Sequence, residues 1–397
     1  MSNPSQHAKW GISLALIAAI AGAVLWRTRM EHAANVLEEL DRNCHQALEE
    51  QDWLRLQENA EEWLSREPDS ADACLFLGEA RKQRGDLEGA VSAILQVPDG
   101  SPKIHPALLI AADLQFGPLN HPLDAVDSLK RLLAVKPQSM AARRRLIFFY
   151  GVTLQREEMI SQIREAIRHD AEPPESYVYL MIADHLSFTN GFSEAERWLK
   201  SAPDSEVFQV ARLLQLQDQL ENSETPPPEA VRRQAGIALK ELIGKYPGNL
   251  ALARYRLERA AQEFQLDEIP EVFATLSENW KLDSVICRHQ GWYLARTGKP
   301  EEAERWFRES LDLFPFDWHA WHELAGILRR LGDLAEAERA AEIALEGKEL
   351  RKKLVQLPTA SDIPTELLKE VGDFAKRVGA NAIARQADLR VSQPQAL

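Results

Sequence analysis

Two histidines three residues apart, His319 and His322, are the nearest approach to a metal-binding pattern in this sequence. On a helix, residues at this spacing share a face, so the two imidazoles could chelate a metal ion. The sequence specifies no third ligand, however, and the order of residues in His319–Glu323 does not match the zinc-protease motif HExxH. The pattern therefore favours two histidines on an exposed helix surface over a metal site.

Other motifs that carry chemistry are missing from the sequence. It contains no nucleophile elbow, phosphate-binding loop or GxGxxG motif. The three cysteines, Cys44, Cys74 and Cys287, are odd in number and never spaced as CxxC, which indicates neither a zinc ribbon nor a disulfide framework. We expect them to be buried core thiols. The sequence thus predicts no catalytic site, no metal site and no cofactor.

The charge balance of the chain restricts its partners. In 397 residues, 61 acidic side chains face 47 basic ones, for a net charge of −14. This excess argues against nucleic-acid binding through a positive surface. Two short basic runs, Arg143–Arg145 and Lys348–Lys353, fit a solvated face or a helix end, with acidic partner segments or lipid headgroups as the alternative contacts.

A repeated pattern predicts the elements that position these residues. Five residues recur 34 positions later, with Gly291, Leu294, Gly298, Ala303 and Phe307 matched by Ala325, Leu328, Gly332, Ala337 and Ala341. Each interval holds two apolar helical segments joined by a short polar turn, as an αα-hairpin requires. A fixed period of this length is typical of a solenoid built from helical hairpins.

The small residues of the pattern have two predicted roles. Ala303 and Ala337 lie near the start of the second helix of a hairpin, where a larger side chain would force the two helices apart. Gly85, Gly298 and Gly332 lie where a first helix ends, and glycine tolerates the left-handed backbone that such ends favour. Both roles predict hairpins with closely packed helices.

A third copy of the pattern lies upstream and comprises Leu77, Gly78, Gly85, Ala90, Ile94 and Pro102. The pattern resembles the tetratricopeptide repeat (TPR) family, most closely in 71–104, 284–317 and 318–351. The resemblance implies an all-α fold, a right-handed superhelical α-solenoid of about nine helix-turn-helix hairpins over 37–351.

Four segments fall outside the regular pattern. Residues 221–229 (ENSETPPPE) predict an exposed, partly polyproline loop that could act as a hinge. Residues 1–9 predict a short polar tail, and residues 27–36 predict a helical connector. After the last repeat, we expect residues 352–397 to form helices that cap the solenoid, followed by a frayed tail.

The N-terminus contains a candidate membrane anchor. Trp10–Trp26 holds 17 residues without a charge, between Lys9 and Arg27, which is just long enough to span a bilayer. The alternative is a cleaved secretory signal, since Ala21–Ala23 has the small-x-small form. Because the apolar run continues to Trp26, the sequence favours an uncleaved single-pass anchor, and the flanking charges leave the side of the array undetermined.

The resemblance also implies a peptide-binding groove. TPR arrays bind peptides on a concave face that is lined by the first helix of each hairpin. Transferred to the two C-terminal repeats, the family's groove positions and the position next to them fall on Arg288, Trp292, Arg296, His319, His322, Arg329 and Arg330. Guanidinium groups and an indole suit carboxylates and aromatic or apolar anchors. The family's Lys and Asn carboxylate clamp is missing, which argues against binding of chaperone tails.

The anchor and the resemblance together predict a membrane-anchored scaffold that binds partner polypeptides, themselves membrane-associated, on the concave face. The layout is similar to bacterial anchored TPR proteins of envelope assembly, secretion or cytochrome maturation, which implies the plasma or inner membrane of a bacterium. The alternative is a structural subunit or assembly factor of a cell-envelope complex. An enzyme is disfavoured, because the repeats and the anchor leave no segment long enough for a separate catalytic domain.

Overall fold

The computed structural model describes residues 26–392, apart from residues 28, 31, 33, 185, 187, 189, 224 and 226. The predicted polar tail and, except for Trp26, the predicted anchor lie outside these described residues. Regular secondary structure in the described part is entirely helical. A search of its helices found none that is both long and apolar enough to cross a membrane.

The helices follow one another through short connections. The described residues between 26 and 49 are all helical and form helix α1. The remaining helices are, in chain order, α2 Trp53–Arg66, α3 Ala71–Gln83, α4 Leu87–Ile94, α5 Ile104–Phe116, α6 Pro122–Val135, α7 Met140–Val152, α8 Arg156–Arg168, α9 Glu175–Met181, α10 Gly191–Ser201, α11 Glu206–Glu221, α12 Glu229–Lys245, α13 Leu250–Gln262, α14 Glu268–Ala274, α15 Ser284–Arg296, α16 Pro300–Leu313, α17 Trp318–Leu331, α18 Leu334–Val355, α19 Thr365–Arg377 and α20 Asn381–Ser392. Short 3-10 turns lie at Glu278–Leu282 and Ala360–Asp362.

Local sequence explains where many of these helices begin. The side chains of Ser70 and Asp86 accept hydrogen bonds from the third residue after them and so cap α3 and α4. Pro122 and Pro300 occupy the first position of α6 and α16, where proline costs no hydrogen bond. The start signals are therefore local, and the period of the sequence repeats them along the chain.

Helix ends and helix crossings agree with the sequence expectation. Three glycines at the predicted ends of first helices have positive φ angles of +85°, +82° and +91°, at Gly85, Gly298 and Gly332. A Cβ added at Gly291 would lie 2.9 Å from Phe307 Cε1, so only glycine fits where α15 crosses α16. The role predicted for the glycines at helix ends is confirmed, and Ala303 and Ala337, at the starts of second helices, are buried.

The chain divides into two compact units. Unit 1 comprises the residues up to 119 together with 123–128, and unit 2 comprises 120–122 together with 129–397. The division lies near the start of α6, well before the 221–229 insert where the sequence suggested a hinge. The insert coincides with the connection from Glu221, the end of α11, to Glu229, the start of α12.

Each unit has an apolar core. In unit 1 the core includes Leu40 of α1, Leu56 of α2 and Leu77 of α3. In unit 2 a larger cluster follows α13 to α18, whose helices pack as the hairpins α15/α16 and α17/α18. The C-terminal helices do more than cover the last hairpin, because α20 packs against α8 and α18 packs against α9. Unit 2 therefore brings its own C-terminal helices back onto earlier ones.

The cysteines occupy the core positions that the sequence predicts. Cys44, Cys74 and Cys287 are all buried free thiols. Burial raises the pKa of Cys44 and Cys287 to about 12. At neutral pH these thiols are protonated and behave as small apolar side chains.

Candidate peptide-binding cavity

A cavity of about 440 Å³ lies in unit 2. Its walls come from α11, α13, α15 and α17, and are completed by residues around the start of α8, after α9 and in α18. Its charged and histidine lining residues are Arg156, Asp184, Asp218, Glu221, Arg254, Glu258, Arg259, Arg288, His319 and Arg351. The long walls are therefore the first helices of successive hairpins, which the sequence predicts to form the groove.

One ion pair is repeated along the cavity with the period of the sequence. Arg254 Nη1 lies 2.5 Å from Asp283 Oδ2, and Arg288 Nη1 lies 3.2 Å from Asp317 Oδ1. Each aspartate also caps the helix that it precedes, accepting hydrogen bonds from two backbone amides of α15 or α17. Each carboxylate thus caps the N-terminus of one helix and forms an ion pair with an arginine of the preceding hairpin.

Arg288 is a buried member of a charged cluster formed by residues of α13 and α15 and by Asp317, which caps α17. Its Nη2 is 3.6 Å from Glu258 Oε2, and His289 Nε2 is 3.2 Å from the same oxygen without hydrogen-bond alignment. Burial alone would lower the pKa of Arg288, but the charges of Asp317 and Glu258 raise it overall. Burial lowers the pKa of His289, so this imidazole is neutral at pH 7 while the guanidinium stays charged.

At another part of the cavity wall, Asp184 contacts His319 of α17 and Arg351 of α18. Its Oδ1 lies 3.2 Å from Arg351 Nε, and its Oδ2 lies 3.6 Å from His319 Nε2. The Asp184 side chain is only 8% exposed. Burial and the charge of Arg288 lower the pKa of His319, so at neutral pH Arg351 is the charged partner of this carboxylate.

Arg156 is the most deeply buried cation in the lining, with 2% of its surface exposed. Its Nε donates to the carbonyl of Ala183 at 2.6 Å, its Nη1 pairs with Glu157, and its Cζ lies 4.6 Å from the centre of the Phe314 ring. Its Nη2 and the indole Nε1 of Trp318 have no acceptor among the described residues. Both side chains line the cavity.

The predicted groove residues separate into distinct roles. Arg288 and His319 line the cavity. Trp292 is buried outside the lining, under Arg296, whose Cζ lies 4.5 Å from the indole ring. Arg296 also makes a two-pronged ion pair with Glu323, at 2.7 Å and 3.3 Å. Arg288 and Arg296 thus join α15 to α17.

The other three predicted residues, like Trp292 and Arg296, lie outside the cavity lining. Arg330 Nη1 donates to the carbonyl of Ala295 at 3.0 Å, which makes a further link between α15 and α17. His322 and Arg329 are exposed. Arg329 borders a separate surface crevice with Leu334 and Leu345. The structure therefore does not gather all seven predicted residues into one groove.

Several lining residues were missed by sequence reasoning. The spacing of Asn249, Asp283 and Asp317, together with Arg254 and Arg288, repeats the 34-residue period and could have revealed the ion pairs. No such signal exists for Asp184 and Arg351, because only the packing of α18 against α9 brings these parts of the chain together. Their contact could be found only from the fold.

The solved structures that resemble this chain are distant from it in both sequence and shape. Among solved structures, the APC/C hetero-tetramer Cut9-Hcn1 shares 16% identity at a TM-score of 0.31, covering 90% of this chain and 79% of that chain. A tetratricopeptide repeat protein from Parabacteroides merdae shares 14% identity at a TM-score of 0.25, covering 70% and 93%. The human IFIT1 dimer with PPP-AAAA shares 13% identity at a TM-score of 0.33, covering 83% and 91%.

The sequence comparison is more specific. No curated protein matches the chain by sequence. A family model described as tetratricopeptide repeat matches residues 289–349, which hold most of α15, all of α16 and α17 and most of α18. The resemblance seen in the repeat pattern is therefore confirmed over these two hairpins, which are similar to tetratricopeptide repeats.

Proposed function

We propose that the chain is a protein–protein interaction scaffold that binds a partner polypeptide in the cavity of unit 2. The observation that carries the proposal is the position of the cavity, which is walled by the first helices α11, α13, α15 and α17. Its volume of about 440 Å³ lies within the usual range for ligand pockets and suits a few residues of an extended segment. The TPR family uses the same helices to bind peptides.

Two arginines on the surface of unit 2 offer a matched test of this proposal. Arg259 lines the cavity, whereas Arg305 is an exposed residue of the second helix α16 and lies outside the lining. We expect Arg259→Glu to lose partners that are crosslinked and co-purified with the full chain, and Arg305→Glu to retain them. If both variants recover the same partners as the wild type, binding does not use this cavity.

The proposal extends to the location of the chain. We propose that residues 10–26 anchor it in a membrane, which would confine the array and its partners to one surface and raise their effective concentration. The uncharged run between Lys9 and Arg27 supports this part of the proposal. Removal of residues 1–26 should move the protein from the membrane fraction to the soluble extract, and an unchanged membrane fraction would contradict the anchor.

We propose no catalytic role for the cavity. Its arginines Arg254, Arg288 and Arg351 are engaged in ion pairs with carboxylates of the same chain. Such pairs hold helices together, and an arginine engaged in this way offers a substrate neither a nucleophile nor a general base. A turnover assay is therefore not the first experiment that the site suggests.

A further inference from the structure

The acidic residues of the cavity already face hydrogen-bond donors or cations of the chain. Glu221 Oε1 accepts hydrogen bonds from the Tyr255 hydroxyl and from Arg259 Nη1, each at 3.1 Å. Glu258 lies beside Arg288 and His289, as described above. Asp184 is held by Arg351 and His319. A cationic ligand would therefore have to compete with the chain's own cations for these carboxylates.

Several donors in the same lining are, by contrast, unused. Within the part of the chain that is described, Arg156 Nη2 and Trp318 Nε1 have no acceptor, and Arg351 contacts Asp184 through Nε alone. A buried donor without an acceptor has lost its hydration without compensation. One oxygen of Asp317 also lacks a donor, but Asp317 does not line the cavity. These unused donors therefore favour a ligand that carries hydrogen-bond acceptors.

Asp184 already supplies one such acceptor from within the chain. It lies just after α9, which ends at Met181, and outside any helix, whereas Arg351 and His319 lie on α18 and α17. Its carboxylate divides its two oxygens between these residues in the way that a bound carboxylate would. In the described chain, its side chain has no other polar contact that would have to be broken.

We propose that the cavity binds a carboxylate of a partner polypeptide, which replaces Asp184 on Arg351 and His319. Asp184 then acts as an internal competitor that weakens binding until a partner of sufficient acidity arrives. The inference rests on the proposed function and specifies the chemistry of the partner segment. The carboxylate could belong to acidic side chains or to a free C-terminus, and both sources are compared below.

The test uses fluorescence anisotropy of the full chain with three labelled hexapeptides. Amidated hexaglutamate offers only side-chain carboxylates, a glycine–serine hexapeptide with a free C-terminus offers only a terminal carboxylate, and amidated hexalysine is the cationic control. We expect one or both carboxylate peptides to bind and hexalysine not to bind. Asp184→Asn should tighten carboxylate binding about tenfold, since it removes the competing charge. Arg351→Gln should abolish binding, with or without Asp184→Asn.

Asp204→Asn is the matched control, because Asp204 is an exposed aspartate of unit 2 away from the cavity lining. It changes the net charge equally and should leave affinity unchanged. The inference is overturned by equal tightening in Asp204→Asn, by no tightening in Asp184→Asn, or by preferential binding of hexalysine. Absence of carboxylate binding at about 1 mM peptide also overturns it.

Thermal unfolding establishes that each variant is folded. If Asp184→Asn does not fold, the wild type and Arg351→Gln decide the question, and equal affinities for the carboxylate peptides overturn the inference. The outcome is separable from that of the proposed function. Should the peptides fail while Arg259→Glu still loses its crosslinked partners, the cavity binds polypeptides through other chemistry.

Discussion

At the residue scale, the buried carboxylate of Asp317 stabilises the fold in two ways. It caps α17 through two backbone amides and receives the guanidinium of Arg288 from α15. Removing one partner of a buried ion pair leaves the other charge without compensation, which costs about 3–5 kcal/mol. We therefore expect Asp317→Ala to lower the free energy of unfolding by about this amount, as measured by urea denaturation followed by circular dichroism.

Asp333 provides the control for that substitution. It caps α18 through the backbone amide of Glu336, but it is exposed and has no ion pair among the described residues. Asp333→Ala should therefore cost only about 1 kcal/mol, the usual effect of losing a cap. Equal losses in the two variants would show that the ion pair with Arg288 adds nothing to the cap of Asp317.

His289 makes the stability of unit 2 depend on pH. Burial lowers its pKa in the folded state, and the groups facing it are Glu258 of α13, neighbouring Arg288 and Asp317 before α17. Below the unfolded pKa of about 6.5, the unfolded chain binds the proton more readily, so this part of the stability is lost as pH falls.

The wild type should therefore lose stability from about pH 7 to pH 5, and His289→Gln should lose less, with a slope smaller by at most about 1.4 kcal/mol per pH unit. Denaturation midpoints across this range provide the measurement. Glu258 does not contribute to this pH dependence, because the pKa of its carboxyl is lowered and the group stays ionised between pH 7 and pH 5. Parallel slopes for the two proteins would mean that His289 is protonated equally in the folded and unfolded states.

At the element scale, one glycine within α17 and one directly after it have different backbone requirements. Gly332 ends the helix with φ +91°, whereas a Cβ added at Gly326 would meet nothing within 4 Å. Alanine at Gly332 must adopt a left-handed backbone, at a cost of about 1–2 kcal/mol. Alanine at Gly326 gains helix propensity of about 0.8–1.0 kcal/mol.

We therefore expect the thermal midpoint to rise in Gly326→Ala and to fall in Gly332→Ala, relative to the wild type. The two variants make the same chemical change in the same helix, so each is the other's control. A shift in the same direction for both would contradict the assignment of Gly332 as the left-handed end of α17.

Helix ends and helix crossings could be predicted from the sequence because the residues that determine them are local and recur with a fixed period. The glycine at 332, the cap at Asp317 and the small residue at 291 repeat with the 34-residue period, and each fixes a helix end or crossing within its own hairpin. The groove was less predictable. The family resemblance placed Arg288 and His319 in it, and the 34-residue period could have revealed the ion pair of Arg288 with Asp317. No sequence signal could show that Asp184 reaches Arg351, because that contact depends on the packing of α18 against α9.

At the scale of the whole molecule, unit 2 depends on a buried contact between distant parts of the chain. Glu172 is fully buried, and its Oε1 lies 2.6 Å from Arg390 Nε of α20. Tyr177 and Gln386 donate to the same carboxylate at 3.2 Å and 3.3 Å. The contact holds α20 beside the segment that leads into α9, and α9 leads in turn to Asp184.

Arg390→Met should therefore loosen the cavity from a distance. Without Arg390, the carboxylate of Glu172 is buried with no cation beside it, which should lower the free energy of unfolding of unit 2 by about 3–5 kcal/mol. Hydrogen exchange should then accelerate in α9 and α20. Exchange in α3 of unit 1 should stay unchanged, because its core is separate. Arg377→Met is the control, since its ion pairs with Glu342 and Glu346 are exposed and worth at most about 1 kcal/mol. If Arg390→Met leaves exchange in α9 unaltered, the C-terminal helix does not hold that segment, and Asp184 must be positioned by its own contacts with Arg351 and His319.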